Sequence, residues 1–211
     1  ADYGILKAAL QGVVKQNKMP LITVNSGTQK QSEDIGALLH IGQPELLAGE
    51  KAGERTRRSN IHSFVCLNHY ASNSSSHERC KGFANGLGPD TKAATLELDG
   101  DSAAMQAKIS QYLASHPDTE AMLALGSTSA HPALEAIKAA KSGGRSYFFA
   151  TFDLSGPISD GIKAGTVSFA IDQQPYLQGY LGAAILAEYN KIPGATPESL
   201  KNAKISAYVN P

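Results

Sequence analysis

The chain has 211 residues, 42% hydrophobic and 18% charged, and its 19 Lys+Arg balance 19 Asp+Glu for a formal charge of +0. That is enough chain for one large domain or two small ones with a real core. The zero balance argues against duplex DNA or an anionic membrane as main partner, because counterion release needs a basic surface, and no apolar run approaches the ~20 residues of a membrane span.

The first element is a helix from Ile5, with Leu6, Leu10, Val13 and Val14 on one stripe. Leu21-Ile22-Thr23-Val24 reads as a short strand ending in Asn25-Ser26-Gly27. A polar loop follows, then the apolar run Ala37-Leu38-Leu39-His40-Ile41, then a helix over 44–58 whose late arginines suit the helix dipole. Ser63-Phe64-Val65-Cys66-Leu67 is a buried strand and 76–87 a helix. Thr95-Leu96-Glu97-Leu98 is strand-like, and Ser102 caps a helix carrying Met105, Ile109, Tyr112 and Leu113 inward. Ala121-Met122-Leu123-Ala124-Leu125 is a strand running into Gly126-Ser127-Thr128-Ser129. Pro132 is placed in the first turn of the next helix, which Gly143-Gly144 ends. Strands over 147–152 and 167–171 and helices over 157–164 and 176–189 complete the series.

Alternating strands and helices with continuous apolar strands imply α/β architecture, parallel sheets covered by helices. Ligands of such sheets bind beyond the carboxyl ends of the strands. The loops there are uniformly polar: Asn25-Ser26, Asn68-His69-Tyr70, Gly126-Ser127-Thr128, Asp153-Leu154-Ser155 and Asp172-Gln173-Gln174. Amides, hydroxyls and carboxylates suit a polyhydroxyl ligand, although Asn and Asp also favour turns.

Enzyme signatures are missing: no G-x-S-x-G elbow, no P-loop and no G-x-G-x-x-G after a strand. His69 and His77 lack the further ligands of a metal site, and Cys66, inside an apolar strand, is a poor nucleophile. No cofactor and no metal are expected. Cys66 and Cys80 either form one bridge over the loop between them or stay as two buried thiols. Asn73-Ser74-Ser75 is an N-glycosylation sequon. The start, Ala1-Asp2-Tyr3-Gly4, has neither an initiator Met nor a signal-peptide layout, so a removed leader or a fragment is expected.

Several runs together resemble one family. They are the segment from His40-Ile41-Gly42-Gln43-Pro44 to Ala52-Gly53 with its spaced glycines, Asn68-His69 followed by Glu78-Arg79-Cys80-Lys81-Gly82-Phe83, Thr151-Phe152-Asp153-Leu154-Ser155, and Phe169-Ala170-Ile171-Asp172-Gln173-Gln174-Pro175-Tyr176-Leu177-Gln178-Gly179-Tyr180. In order and spacing they are similar to type I periplasmic sugar-binding proteins, the ribose-binding-protein-like substrate-binding branch of sugar ABC transporters, from about residue 4 to about residue 190. The resemblance implies two α/β lobes with a small ligand in the cleft between them and hinge closure. It assigns ligand contacts to Asn25, His69, Arg79, Ser127, Asp153, Asp172 and Gln173. The bland alternatives are a surface ion pair for Arg79 and a helix N-cap for Asp153.

Relative to that family, two or three βα units are lacking ahead of the first strand, roughly 60–90 residues at ~30 per unit. The expected division is therefore 1–40 as the remainder of the first lobe, 41–165 as a nearly complete second lobe, and 166–211 as a segment returning to the first lobe plus a tail. A proteolytic fragment, an incomplete chain and a natural short form that self-associates through its exposed first-lobe face all fit. The implied function is binding of a small sugar or polyol as the solute-binding component of an ABC-type importer, with no chemistry, in the periplasm or secreted. The transporter's membrane subunits are partners and nucleic acid is not. The alternatives are a secreted lectin-like protein that kept the fold but lost transport, and the effector domain of a LacI-type regulator.

Overall fold

The computed structural model describes residues 3–17 and 19–196; the tail expected beyond them lies outside the described residues. The chain divides into two units, one of Ala1–Pro44 with Gln173–Pro211 and one of Glu45–Asp172. The bounds expected at 40 and 165 move for a simple reason. Strand β2 (Leu39–Ile41) pairs with β1 (Ile22–Val24), and β7 (Phe169–Ile171) pairs with β6 (Phe148–Phe152). The segment expected to return at 166 therefore still belongs to the second unit, and the first resumes at Gln173.

In the first unit β1 and β2 run parallel, Ile22 opposite Leu39. Helix α1 (Tyr3–Asn17) is tied to α2 (Gln29–Asp34) by Tyr3 Oη donating to Asp34 Oδ2 at 2.8 Å and by Lys7 at 3.4 Å. On the expected α1 stripe, Leu6 and Val13 stay exposed. The polar loop after Gly27 contains α2 because Thr28 and Gln31 form a capping box that satisfies orphan N–H groups at both positions. Helix α8 (Pro175–Lys191) packs on the strand pair, with Gly182 close to the side chains of Ile22, Val24 and Ile41.

His40 on β2 has its Nδ1 2.9 Å from Thr23 Oγ1, while its Nε2 is buried without a hydrogen-bond partner among the described residues. Burial holds this imidazole below its ordinary value of 6.5. The unfolded chain therefore binds the proton first, so stability is fully present above about pH 6.5 and is lost as pH falls through the folded-state value. Urea denaturation is expected to give a lower midpoint at pH 5.5 than at pH 7.5, and His40→Gln to reduce that difference; equal midpoints at the two pH values would contradict the burial.

The second unit is a five-stranded parallel sheet in the order β4-β3-β5-β6-β7, with β3 (Ser63–Asn68), β4 (Lys92–Glu97) and β5 (Ala121–Ala124). Both faces are covered, as continuous apolar strands require. One face packs Val65, Leu67, Met122 and Phe149 against α5 (Ser102–Ser115), α6 (Ser127–Ser142) and α7 (Gly156–Lys163). The other packs Phe64, Cys66, Leu123 and Phe152 against α3 (Glu45–Arg57) and α4 (Ser74–Leu87). The spaced glycines have a role here. A Cβ on Gly49 or Gly53 would collide with Arg79 O or Phe83 O, and one on Gly82 or Gly86 with Leu46 O or Glu50 O. The backbones of α3 and α4 thus lie in direct contact, which leaves Leu46 and Leu47 exposed.

Two further readings change. Asp101, not Ser102, caps α5. Helix α6 begins at Ser127, straight out of the strand, so Pro132 lies inside the helix and not in its first turn. No helix among the described residues is long and apolar enough to cross a membrane.

Candidate functional site

The carboxyl ends of β3, β5 and β6 converge in the second unit. His69 follows β3, and its Nδ1 lies 3.1 Å from Ser129 Oγ in the first turn of α6. Gly126 joins β5 to α6, and the next residue, Ser127, donates its N–H to Asp153 Oδ2 at 3.2 Å. Asp153 ends β6 in the left-handed region, with φ 71, which Asp tolerates better than most residues. Its own N–H donates to Ile171 O, setting it beside the end of β7 where Asp172 stands.

Gly126 shapes the space between these groups. A Cβ there would lie 3.1 Å from Asp153 Oδ2, 3.1 Å from His69 Cε1 and 3.6 Å from His69 Nε2. A side chain there would press on both groups, so glycine is what lets the carboxylate and the imidazole edge come this close to the strand end. Tyr70 is exposed at the rim, while Asn68 is buried, its Oδ1 accepting from Tyr70 N at 3.1 Å and its Nδ2 without a partner among the described residues.

Burial lowers the pKa of His69 below the ordinary 6.5; the Asp153 carboxylate pulls it up and the Arg79 cation pushes it further down. The imidazole is therefore neutral at neutral pH. The expected cap role for Asp153 is not found: Ser155 is the N-cap of α7, accepting from Ile158 N.

Arg79 is corrected. The resemblance gave it ligand hydroxyls, but its side chain is 9% exposed and its fork closes on Glu45, Nε to Oε2 and Nη2 to Oε1, both at 2.6 Å. Nη1 donates to Leu125 O at 2.7 Å, and the guanidinium lies 4.4 Å from the centroid of the Phe152 ring. Burial and three donor groups held by protein acceptors make it a support beneath the ends of β5 and β6. It is not the surface ion pair either, since its partner is buried as well.

In the first unit, Asn25 ends β1 with φ 67, and its Nδ2 is 3.5 Å from Gln173 Oε1. Gln178 Nε2 donates to Gln173 O at 2.7 Å, pinning the turn into α8. Of the residues named from sequence, His69, Ser127 and Asp153 thus gather at one place in the second unit, with Asp172 at the neighbouring strand end, and Asn25 meets Gln173 in the first. Sequence reasoning missed Ser129, whose only signal was its place in the polar run after β5, and Glu45, which reads as an ordinary first-turn acid on α3.

Cys66 on β3 and Cys80 on α4 form a disulfide with Cα atoms 6.0 Å apart. Asn73 of the sequon is the N-cap of α4, its side chain accepting from Ser75 N. His77 Nε2 lies 2.7 Å from Ala71 O, and no cluster that could hold a metal ion occurs among the described residues.

Comparison with known proteins places this geometry in context. The periplasmic binding protein domain family matches residues 1–192. The chain belongs to that family. A carbohydrate transporter protein from Acidothermus cellulolyticus, solved in complex with myo-inositol, is 28% identical with a TM-score of 0.82; the match covers 92% of this chain and 67% of that one. A periplasmic sugar-binding protein of an ABC sugar transporter from Legionella pneumophila is 24% identical with a TM-score of 0.81, covering 90% of this chain and 71% of that one. A solute-binding protein from Burkholderia graminis, in complex with D-arabinose, is 18% identical with a TM-score of 0.78, covering 90% and 67%. The two with the lower identities share the fold of type I periplasmic binding proteins. No match is found among curated proteins.

Proposed function

We propose that this chain binds a small neutral sugar or polyol as the solute-binding component of an ABC-type importer and performs no chemistry on it. The observation that carries this reading is the gathering of His69, Ser127 and Asp153 at the carboxyl ends of three parallel strands, with the Ser127 N–H on Asp153 Oδ2. Such strand ends are where open α/β sheets bind ligands, and a carboxylate beside a neutral imidazole suits hydroxyl groups. The likeness to proteins solved with myo-inositol and D-arabinose supports the same ligand class. His69, Ser127, Asp153 and Asp172 are the proposed contacts in the second unit, and Asn25 and Gln173 in the first. The periplasm or the exterior is the proposed location, and the disulfide fits an oxidising compartment.

A thermal-shift panel of myo-inositol, D-arabinose, D-allose and related pentoses, hexoses and polyols tests the reading. A ligand at 100 times its Kd adds about 2.7 kcal/mol of stability, readily seen as a raised melting temperature. In Asp153→Ala the lost charge-assisted hydrogen bond is expected to weaken binding by about 1.5–3 kcal/mol, with folding largely retained. A panel with no shift, or an Asp153→Ala variant that responds like the parent, would contradict it.

A further inference from the structure

We infer that His40 is a positioning residue for the end of β1: its ring holds Asn25 against Gly42 at neutral pH and lets that strand end open when the solution turns acid, while the second unit stays folded. For its effect on a ligand this rests on the sugar-binding reading, which makes Asn25 a contact; the opening itself does not depend on it.

The two faces of the short strand pair differ. Side chains alternate along a strand, and Ile22, Val24 and Ile41 turn to Gly182 of α8. Thr23 and His40, opposite each other in the register, fall on the other face, where Ser32 Oγ of α2 meets Thr23 Oγ1. The His40 ring is held at Nδ1 by Thr23, and its backbone N–H donates to Gln29 Oε1 of α2 at 3.2 Å. The other edge of the ring meets the point where the chain leaves β2. A Cβ on Gly42 would lie 2.6 Å from His40 Nε2 and 2.9 Å from Asn25 O. Ring edge, Gly42 and the Asn25 carbonyl therefore crowd together. Asn25 is fixed as well by its N–H, which donates to Ile41 O at 2.9 Å, and it sits at φ 67.

A second proton finds no place in this packing. The cationic ring carries N–H on both nitrogens. Thr23 and Ser32 are hydroxyls, which donate or accept, so Nδ1 is served in either state. Nε2 is not, being buried and without a hydrogen-bond partner among the described residues. Nor is there a counter-charge. Lys30, Glu33 and Asp34 of α2 are exposed, with Glu33 on Gln29 and Asp34 on Tyr3 and Lys7 of α1. On α8, Glu188 pairs with Lys191 in the last turn, and β1 presents only Thr23 and the Asn25 carbonyl. Burial is the one cause that holds the imidazole below 6.5. A buried cation with neither partner nor counter-charge is unfavourable, and a shift of the backbone at Asn25 and Gly42, which admits water or turns a carbonyl, relieves it.

The opening is local because the strand pair is small. β1 and β2 have three residues each, and a two-stranded sheet is marginal by itself; the second unit has a five-stranded sheet. Between pH 6.5 and the lower value of the closed state, the open form takes up the proton that the closed form refuses. Its share then rises about tenfold per pH unit. Opening also separates Asn25 Nδ2 from Gln173 Oε1, 3.5 Å away in the closed state.

Amide hydrogen exchange of the intact chain at pH 7.5 and pH 5.5, corrected for the intrinsic rate at each pH, tests the opening. Protection at Asn25 and Leu38 is expected to fall by up to about tenfold in the parent and to hold in His40→Gln, with Val65 and Leu123 of the second unit exchanging more slowly throughout. No fall at Asn25 in the parent, the same fall in His40→Gln, or a single rate shared by Asn25 and Val65 overturns the inference. His40→Asn serves if His40→Gln does not fold. Calorimetric titration with myo-inositol, D-arabinose and D-allose at the same two pH values reads the consequence for binding. Affinity is expected to drop from pH 7.5 to pH 5.5 by a larger factor in the parent than in His40→Gln; an equal factor overturns the positioning role. If no sugar binds at pH 7.5, the sugar-binding reading fails, and hydrogen exchange alone decides whether His40 controls the strand end.

Discussion

Replacing Glu45 with alanine is expected to destabilise the second unit by about 3–5 kcal/mol, the cost of leaving a buried charge uncompensated. The Arg79 guanidinium is held by both Glu45 oxygens, by Leu125 O and over the Phe152 ring. With the carboxylate gone, a buried cation loses its matching charge. Leu125 immediately precedes Gly126, so the damage reaches the floor of the candidate site. Urea denaturation measures it as a lower midpoint with an unchanged slope. The paired replacement Glu45→Leu with Arg79→Met should recover most of the loss, because well-packed apolar groups of similar volume often replace a buried pair at little cost. A Glu45→Ala variant within about 1 kcal/mol of the parent would contradict a buried pair, since surface pairs cost no more than that.

Removing the disulfide is expected to cost about 3 kcal/mol, the loop-closure value for a loop of around 15 residues. The bridge closes a sequence separation of 14 between the buried Cys66 on β3 and Cys80 on α4, next to Arg79. It fastens the strand that ends at His69 to the helix that carries the arginine support. Melting with and without reductant, alongside a Cys66→Ala, Cys80→Ala double variant, should show matching losses. Unchanged melting on reduction, with two thiols titrated in the folded protein, would contradict the bond's structural role.

The sheet of the second unit was legible because its central strands are buried on both faces and read as unbroken apolar runs, such as Phe64 to Leu67 and Ala121 to Leu125. At the sheet edge the same reading shortened β4, whose Lys92, Ala93 and Thr95 face solvent. Helix α2 was missed although its signal, Thr28 followed three residues later by Gln31, stood in the sequence; the helix has no apolar face to give it a period. The strand-end rule located His69, Ser127 and Asp153 because topology alone determines where those loops gather. The Arg79–Glu45 pair was not legible, because the fate of a guanidinium depends on its carboxylate, and Glu45 lies 34 residues earlier on another helix. Ser129 was invisible for a similar reason, as only the fold sets it against His69.

The binding site proposed in the second unit is tested most directly by a ¹H–¹⁵N correlation spectrum recorded while myo-inositol, D-arabinose or D-allose is added. Sugar binding at the strand ends predicts shifts at the amides of Asn68, His69 and Tyr70, of Gly126, Ser127 and Thr128, and of Asp153 and Leu154, with the amides of α5 unmoved. A sugar that shifts amides elsewhere and leaves these in place, or a spectrum that no sugar changes, would contradict a binding site built around Gly126.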